Sequence, residues 1–453
     1  MAFSLTLVVT RFLAFVIKTL GLGAGSTWPG EIGLLLYPAL LPTFRQRFSF
    51  HVILVAGTNG KTTTTKLIAQ GLPRAFLITN PSGANIANGV ASALISHSKF
   101  LSSGKALAIF EVDEGAMPTI VTDLQPELVV ILNLFRDQLD RYAELEMTAH
   151  KWQQVLDKLP KTSTVILNAD DPLVVSLGET CGAKVVYFGL DESLAPPLSP
   201  IHSGDSLFCR RCGQRLTYAK IFYAHLGMWS CPSGDRARPS PKYYCVSQRE
   251  ENAENCSFVV KSPCGQVEVD LPLAGLYNAS NVAAAAAVLG EFGDKGDLFN
   301  IRQAWEGFRP AFGRQERIGQ AVILLSKNPT GMTENLKLLT DCQKNPGPAL
   351  FVLNDGIADG RDVSWIYDVD STAITSAVKG RAVFVSGSRA EEMGLRILSA
   401  VGDLKFPVQI RSDLGAGLRD TLREVKGEGM AYIIPTYTAM LQVRKELCGR
   451  RIL

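Results

Sequence analysis

Short apolar runs ending in Gly, Asn, Asp or Thr alternate along most of this chain with longer stretches of helix-period polarity. The run HVILVA at 51–56 leads into Gly57-Thr58-Asn59-Gly60-Lys61-Thr62 and a threonine-rich helix start. Runs at 106–112, 127–132 and 164–168 predict strands, and residues 145–159 between them predict a helix. Such alternation implies a parallel sheet covered by helices, with binding sites outside the carboxyl ends of the strands. An Ala-rich helix is expected over 281–289, and the runs ALFVLND, RAVFVSGS and MAYIIPT predict a second, Rossmann-like parallel sheet after about Phe312. From 199 to 249 the texture changes to Cys, Arg, Tyr, Pro and Gly, as in a small inserted module with little core of its own.

Residues 1–20 are apolar apart from Arg11 and Lys18. Arg11 splits the run into pieces shorter than the ~18–20 uncharged residues a membrane span needs, and no small-residue cleavage site follows. Leu5, Val9, Phe12, Val16 and Leu20 recur at helical spacing, which predicts one buried or interfacial face. The expectation is a helix docked on the protein, with a membrane-surface helix as the alternative.

A length of 453 residues fits two or three domains. The expected division is a helical segment at 1–48, a nucleotide-binding domain at 49–312 carrying a Cys-rich insertion at 205–248, and an α/β domain at 313–453. A formal net charge of +3 demands neither nucleic acid nor an acidic membrane as partner. Nine cysteines with no export signal point to a reducing cytoplasm.

The segment 57–62 has the setting a phosphate-binding loop requires, a strand before it and a helix after it. Backbone N–H groups of Gly57 to Thr63 face anionic oxygens, Lys61 adds a positive charge, and the Thr62 hydroxyl is a candidate Mg²⁺ ligand. The longer Walker pattern wants Gly at position 55, where Val55 stands. A metal at such a site needs a carboxylate, and Glu111 closes a strand at the same sheet edge. Its neighbours Asp113 and Glu114 are secondary candidates, or solvated surface charges. The Gly-Lys-Thr triplet alone would be weak evidence; its context makes ATP the expected ligand.

Cys209-Arg-Arg-Cys212 followed by Cys231 has the spacing of a zinc ribbon, in which thiolates hold a structural Zn²⁺ that substitutes for a core. The second pair reads Cys231-Pro-Ser-Gly234, so a fourth thiolate is missing, and Cys245 or His225 is the candidate replacement. Cys181, Cys256, Cys264, Cys342 and Cys448 are expected to be buried apolar residues. In the last domain Asp355, Asp359, Asp362, Asp368 and Asp370 follow a strand; turn formation and capping are the alternative to function for each.

The loop, Thr79-Asn80, Gly83-Ala84-Asn85, Glu111, Asn168-Ala-Asp-Asp-Pro172, Tyr277-Asn278 with Asn281, and Gly313-Arg-Gln-Glu316 occur in the order seen in Mur ligases. That family, which the chain resembles, joins peptidoglycan precursors to amino acids and includes folylpolyglutamate synthases. Longer segments are similar to its MurT branch: residues 133–142, Lys327-Asn-Pro-Thr-Gly331, Asn354-Asp355 with residues 358–365, and Pro435-Thr-Tyr-Thr-Ala439. The resemblance implies ATP-dependent amidation of the D-glutamate α-carboxylate of lipid II, with ammonia from a separate glutaminase, GatD. It implies roles for Asn278 and Asn281 at the base, for Lys61, Lys327 and Arg314 at the phosphates, and for Asp355 in catalysis or ammonia handling at the partner interface. Helix capping is the alternative for Asn278. Contact with a membrane would come through the lipid substrate, placing the protein at most peripherally at the inner face of the plasma membrane. Two departures separate the chain from amino-acid-adding Mur ligases: Lys151 does not align with their carbamylated lysine, and residues 325–328 replace their DYAH segment. A free-standing amino-acid ligase and a nucleotide-switched scaffold are the competing readings.

Overall fold

The computed structural model describes residues 2–19, 27–72, 76–80, 83–101, 105–136, 142–196, 205–252, 255–293, 297–341, 346–403, 406–427 and 429–449. Three helices open the chain, α1 (Ala2–Thr19), α2 (Trp28–Leu36) and α3 (Leu40–Arg47). The strands that follow are β1 (Phe50–Ala56), β2 (Leu77–Thr79), β3 (Ala106–Glu111), β4 (Leu128–Ile131), β5 (Thr164–Asn168) and β6 (Lys184–Leu190). After them come β7 (Thr217–Tyr223), β8 (Leu226–Ser230), β9 (Tyr243–Asn252), β10 (Asn255–Ser262) and β11 (Gly265–Leu271). The last six are β12 (Arg314–Ile318), β13 (Ala321–Leu324), β14 (Ala349–Val352), β15 (Val383–Ser386), β16 (Val408–Ile410) and β17 (Ala431–Pro435).

The first sheet has the order β11-β10-β9-β6-β5-β4-β1-β3-β2. It is parallel from β2 through to β9, with β10 and β11 added as antiparallel strands. Strands β1, β3 and β4 are apolar on both faces and almost wholly buried, as expected of a sheet covered on both sides. On one face lies the helix Leu276–Phe292, whose Ala283 to Ala287 are fully buried. Small side chains let this helix approach the sheet and the helix Lys61–Gly71 closely enough to place Asn281 beside the Gly57–Thr62 turn. The second sheet runs β12-β13-β17-β14-β15-β16 and is parallel except for β12. The hairpin β7–β8 stands apart as a two-stranded sheet inside the insertion.

The N-terminal helix forms, but the face that packs differs from the expected one. Phe3, Thr6, Leu7 and Thr10 are buried, whereas Leu5, Val9 and Phe12 are exposed together with Val8 and Phe15, and Val16 is half-buried. The Phe3 ring meets Tyr37 and Phe44 edge-on, and the Thr10 hydroxyl donates to the Thr6 carbonyl, which removes the cost of burying it. Arg11 fixes the orientation through Ser98 and the Ile95 carbonyl. Leu20 lies outside the described residues, and none of the described helices is long and apolar enough to cross a membrane.

Candidate functional site

The Gly57–Thr62 turn is held from beneath by the segment after β4. Thr58 N–H donates to the Asn133 carbonyl at 3.1 Å, Asn59 N–H to Asn133 Oδ1 at 2.8 Å, and Phe135 N–H to the Thr58 hydroxyl at 3.0 Å. Gly60 has a φ of +88°, and a Cβ there would lie 2.1 Å from Asn281 Oδ1. Conformation and space therefore both require glycine at this position. Lys61 is nearly buried; its Nζ donates to the Gly57 carbonyl at 2.5 Å and lies 3.3 Å from Glu114 Oε2.

Lys61, Thr62, Glu111, Asp113, Arg314 and Lys327 line one cavity of about 300 Å³ between the two sheets. Asn80 fixes Glu111 by pairing with both its backbone groups, at 2.9 and 3.0 Å. Glu111 Oε1 accepts from Gly83 N–H at 3.3 Å, while Oε2 is buried with no hydrogen-bond partner among the described residues. An orphaned carboxylate oxygen on a residue that lines the same cavity as Thr62 suits a Mg²⁺ ion, a hard cation that favours oxygen donors. Burial and the neighbouring Glu114 raise the Asp113 pKa. Glu114 faces Lys61, so neither neighbour of Glu111 is merely a solvated surface charge.

Beside this cavity is a second pocket, which Arg314 also lines together with Asn59, Phe135, Tyr223, Asn278 and Asn281. Asn281 Nδ2 donates to Asn278 Oδ1 at 3.1 Å, and Asn278 Nδ2 to the Ala274 carbonyl at 2.7 Å. The helix N-cap is Gly275, so Asn278 is not the cap. Tyr277 and Tyr223 also line this pocket and Tyr437 lines the first, three positions to which the sequence pattern assigns no role. Tyr223 comes from the hairpin of the insertion, a placement that no motif signals.

Asp355 does not line either cavity. Ser388 and Arg389, the latter at 2.9 Å, hold its carboxyl below the usual range at a surface loop. Of the five acids after β14, Asp359 is the one that lines the Lys61 cavity, accepting from Thr438 N–H at 2.8 Å. Asp362 and Asp370 act as turn and helix caps, accepting from Ser364 and Thr372 N–H respectively.

The sulfurs of Cys209, Cys212 and Cys231 lie within 4.8 Å of one another. The Gln214 backbone N–H, then Cys231 and Ser233, bring the Cys212 thiol down to about 7. Three converging sulfurs, one of them readily ionised, fit a soft or borderline cation such as Zn²⁺. Neither proposed fourth ligand joins them. Cys245 sits in β9 with its thiol pushed up to about 12, chiefly by burial, and donates to the Ser247 carbonyl. His225 is wholly buried 3.4 Å from Asp171 and packs edge-on to Phe135, so hairpin geometry turns it toward the sheet. Among the remaining cysteines Cys256 is buried, Cys181 is half-buried, and Cys264 and Cys448 are exposed, contrary to expectation. Cys342 and residues 137–141 lie outside the described residues. Lys151 is exposed on the helix Tyr142–Leu156, away from the cavity lining.

The turn at Asn168–Pro172 ties the insertion to the site. Asp170 accepts from Arg238 Nε at 2.7 Å and from Leu190 N–H at 3.0 Å, and Trp229 Nε1 donates to the Ala169 carbonyl at 3.0 Å. Asp171 accepts from Leu134 N–H at 3.0 Å and caps the helix Pro172–Ser176.

Comparison with known proteins places this geometry. Residues 55–207 match the Mur ligase middle domain and residues 325–440 the MurT ligase C-terminal family. Over 99% of its length the chain is 33% identical to the lipid II isoglutaminyl synthase (glutamine-hydrolyzing) subunit MurT of Streptococcus pneumoniae, covering 98% of that protein. Among solved structures, a pseudomurein peptide ligase type C from Methanothermus fervidus superposes with a TM-score of 0.66 at 20% identity, over 90% of this chain and 80% of that one. MurF ligase from Thermotoga maritima, in complex with ADP, gives 0.62 at 14% identity over 92% and 85%. These two share the fold. Near-complete coverage of a MurT subunit at that identity shows more: the chain belongs to the MurT family, a carbon–nitrogen ligase branch built on the Mur ligase plan.

Proposed function

We propose that this protein is the synthetase subunit of a lipid II isoglutaminyl synthase, amidating the α-carboxylate of D-glutamate with ammonia from a GatD-like glutaminase. The observation carrying this reading is the shared cavity of Lys61, Thr62, Glu111 and Arg314 in a chain similar to MurT from end to end. We read residues 49–312 as the ATP-binding domain and 313–453 as the domain that closes over the phosphates and meets the partner.

A carboxylate does not expel oxide, so ATP must first supply a leaving group. The carboxylate oxygen attacks the γ-phosphorus, the bond to ADP breaks, and an acyl phosphate forms. Ammonia then attacks the acyl carbon, inorganic phosphate departs, and a proton is lost to give the amide. Lys61 and Arg314 offset charge on the transferring phosphoryl while the backbone of the Gly57–Thr62 turn fixes its position. Thr62 and Glu111 would hold Mg²⁺, which when bound would neutralise charge on the phosphates. Asn278 and Asn281 present amides to the base, and Asp355, outside both cavities on a surface loop, would handle ammonia at the partner interface. Zn²⁺ would be structural, and membrane contact would come through the lipid substrate.

The test is reconstitution with a GatD-type glutaminase, following ADP release and the small mass decrease as acid becomes amide. Lys61→Ala is expected to abolish both. Amide formation that survives this change, or ATP turnover indifferent to the muropeptide, would overturn the proposal.

A further inference from the structure

The two cysteine turns of the insertion differ in length. Gly213 and Gly234 both take positive φ, +71° and +78°, and each donates its N–H to the carbonyl of the leading cysteine, at 2.8 and 2.9 Å. Gly213 stands four positions after Cys209, whereas Gly234 stands three after Cys231. The second turn is therefore one residue short, and the missing residue is the one that would bring a fourth thiolate. Position 234 is no substitute, because glycine carries no donor side chain.

Ser233 does reach the sulfurs. Its Oγ lies 2.9 Å from Cys231 Sγ and 3.7 Å from Cys212 Sγ, and the two sulfurs are 3.3 Å apart. A tetrahedral zinc site with ordinary bond lengths has edges of about 3.8 Å between sulfurs and about 3.5 Å between sulfur and oxygen. The three edges that join Cys212, Cys231 and Ser233 lie within about 0.6 Å of these values, and the Cys209 sulfur is within 4.8 Å of the other two sulfurs. Asp235, the next polar residue, is exposed and does not belong to the cluster.

We infer that Ser233 supplies the fourth donor of a Zn²⁺ site completed by Cys209, Cys212 and Cys231. The thiols release their protons to solvent as the ion binds, and the serine oxygen coordinates in place of a fourth sulfur. Oxygen is the poorer partner for this borderline-soft ion, so the site binds zinc more weakly than a four-thiolate ribbon. The inference concerns the inserted module alone and stands whether or not the chain amidates lipid II.

The experiment uses the full chain, stripped by chelator and reloaded with Zn²⁺ for competition titration or with Co²⁺ for visible spectroscopy. Ser233→Ala is expected to lower zinc affinity at least about tenfold, since even groups behind the ligands carry that much, and to alter the cobalt ligand-field bands. Ser233→Cys is expected to tighten zinc binding and give the more intense spectrum of four thiolates. The inference fails if the wild-type chain takes up no zinc, or if Ser233→Ala matches it in both affinity and spectrum. Should the alanine variant not fold, a Ser233→Cys spectrum identical to wild type would equally exclude the serine oxygen.

Discussion

Glu111 concentrates the physical argument for metal-dependent chemistry at the residue scale. Its backbone is pinned by Asn80, one carboxylate oxygen is satisfied by Gly83, and the other is buried without a partner among the described residues. Leaving such an oxygen uncompensated costs about 1–3 kcal/mol or more, a cost a cation removes. Glu111→Gln keeps the shape and deletes the charge. It is expected to leave the fold intact, raise the Mg²⁺ concentration needed for half-maximal turnover, and lower kcat by roughly 30- to 1000-fold. Steady-state kinetics across a magnesium titration check this, and an unchanged magnesium dependence would remove Glu111 from the metal site. Gly60 is the complementary case, where the absent side chain matters: the space a methyl would need is filled by an Asn281 oxygen.

The elements supporting the site are the β7–β8 hairpin and the Asn168–Pro172 turn. The hairpin sends Tyr223 into the pocket that Asn278 and Asn281 line and His225 against Asp171, which also holds Leu134 N–H in the segment beneath the Gly57–Thr62 turn. Burial alone lowers the pKa of His225, but the Asp171 carboxylate more than offsets this and the net shift is upward. A histidine raised in the folded state stabilises fully below its unfolded value of about 6.5, and that contribution is lost as pH rises through the folded value. Wild type should therefore out-melt His225→Gln by most near pH 6, with the gap narrowing toward pH 9. Thermal melts of both proteins across that range check the sign; a gap that widens with pH would mean the imidazole is neutral in the fold.

At the scale of the whole molecule, the cavity lined by Lys61, Glu111 and Arg314 draws its walls from both sheets' domains. Asn328 Nδ2 donates to Asn59 Oδ1 at 3.1 Å, joining the start of the helix Pro329–Asp341 to the phosphate turn. Gln315 crosses the same boundary, its amide pairing with both backbone groups of Ala274 at 2.7 and 2.8 Å. A hydrogen bond of this type contributes about 1 kcal/mol, so its loss should be felt in ligand affinity more than in folding. Asn328→Ala is expected to raise the KM for ATP several-fold, up to about tenfold, and to lower Tm as well, because buried Asn328 also accepts from Gly331 N–H at 2.7 Å at the start of that helix. Equal ATP affinity in the two proteins would show that the Asn59–Asn328 bond does not help assemble the site.

The sequence by itself determined the local chemistry. The strand-turn-helix setting of residues 51–66, the terminal strand position of Glu111 and the cysteine spacing were legible because each depends on neighbours within a few residues. The α/β class followed from periodicity for the same reason. Tertiary structure decided what depends on long-range contact. It chose Phe3 and Leu7 over Leu5 and Phe12 as the buried side of α1, because both sides are apolar and only the neighbouring Tyr37 and Phe44 distinguish them. It put Asp359 rather than Asp355 against the Lys61 cavity, and it turned His225 away from the three cysteines toward Asp171. It also brought Tyr223 from the insertion to a pocket that Asn278 and Asn281 reach from the opposite side of the chain's connectivity. Periodicity specifies which residues share a face, but only the packing of that face against distant elements specifies what it meets.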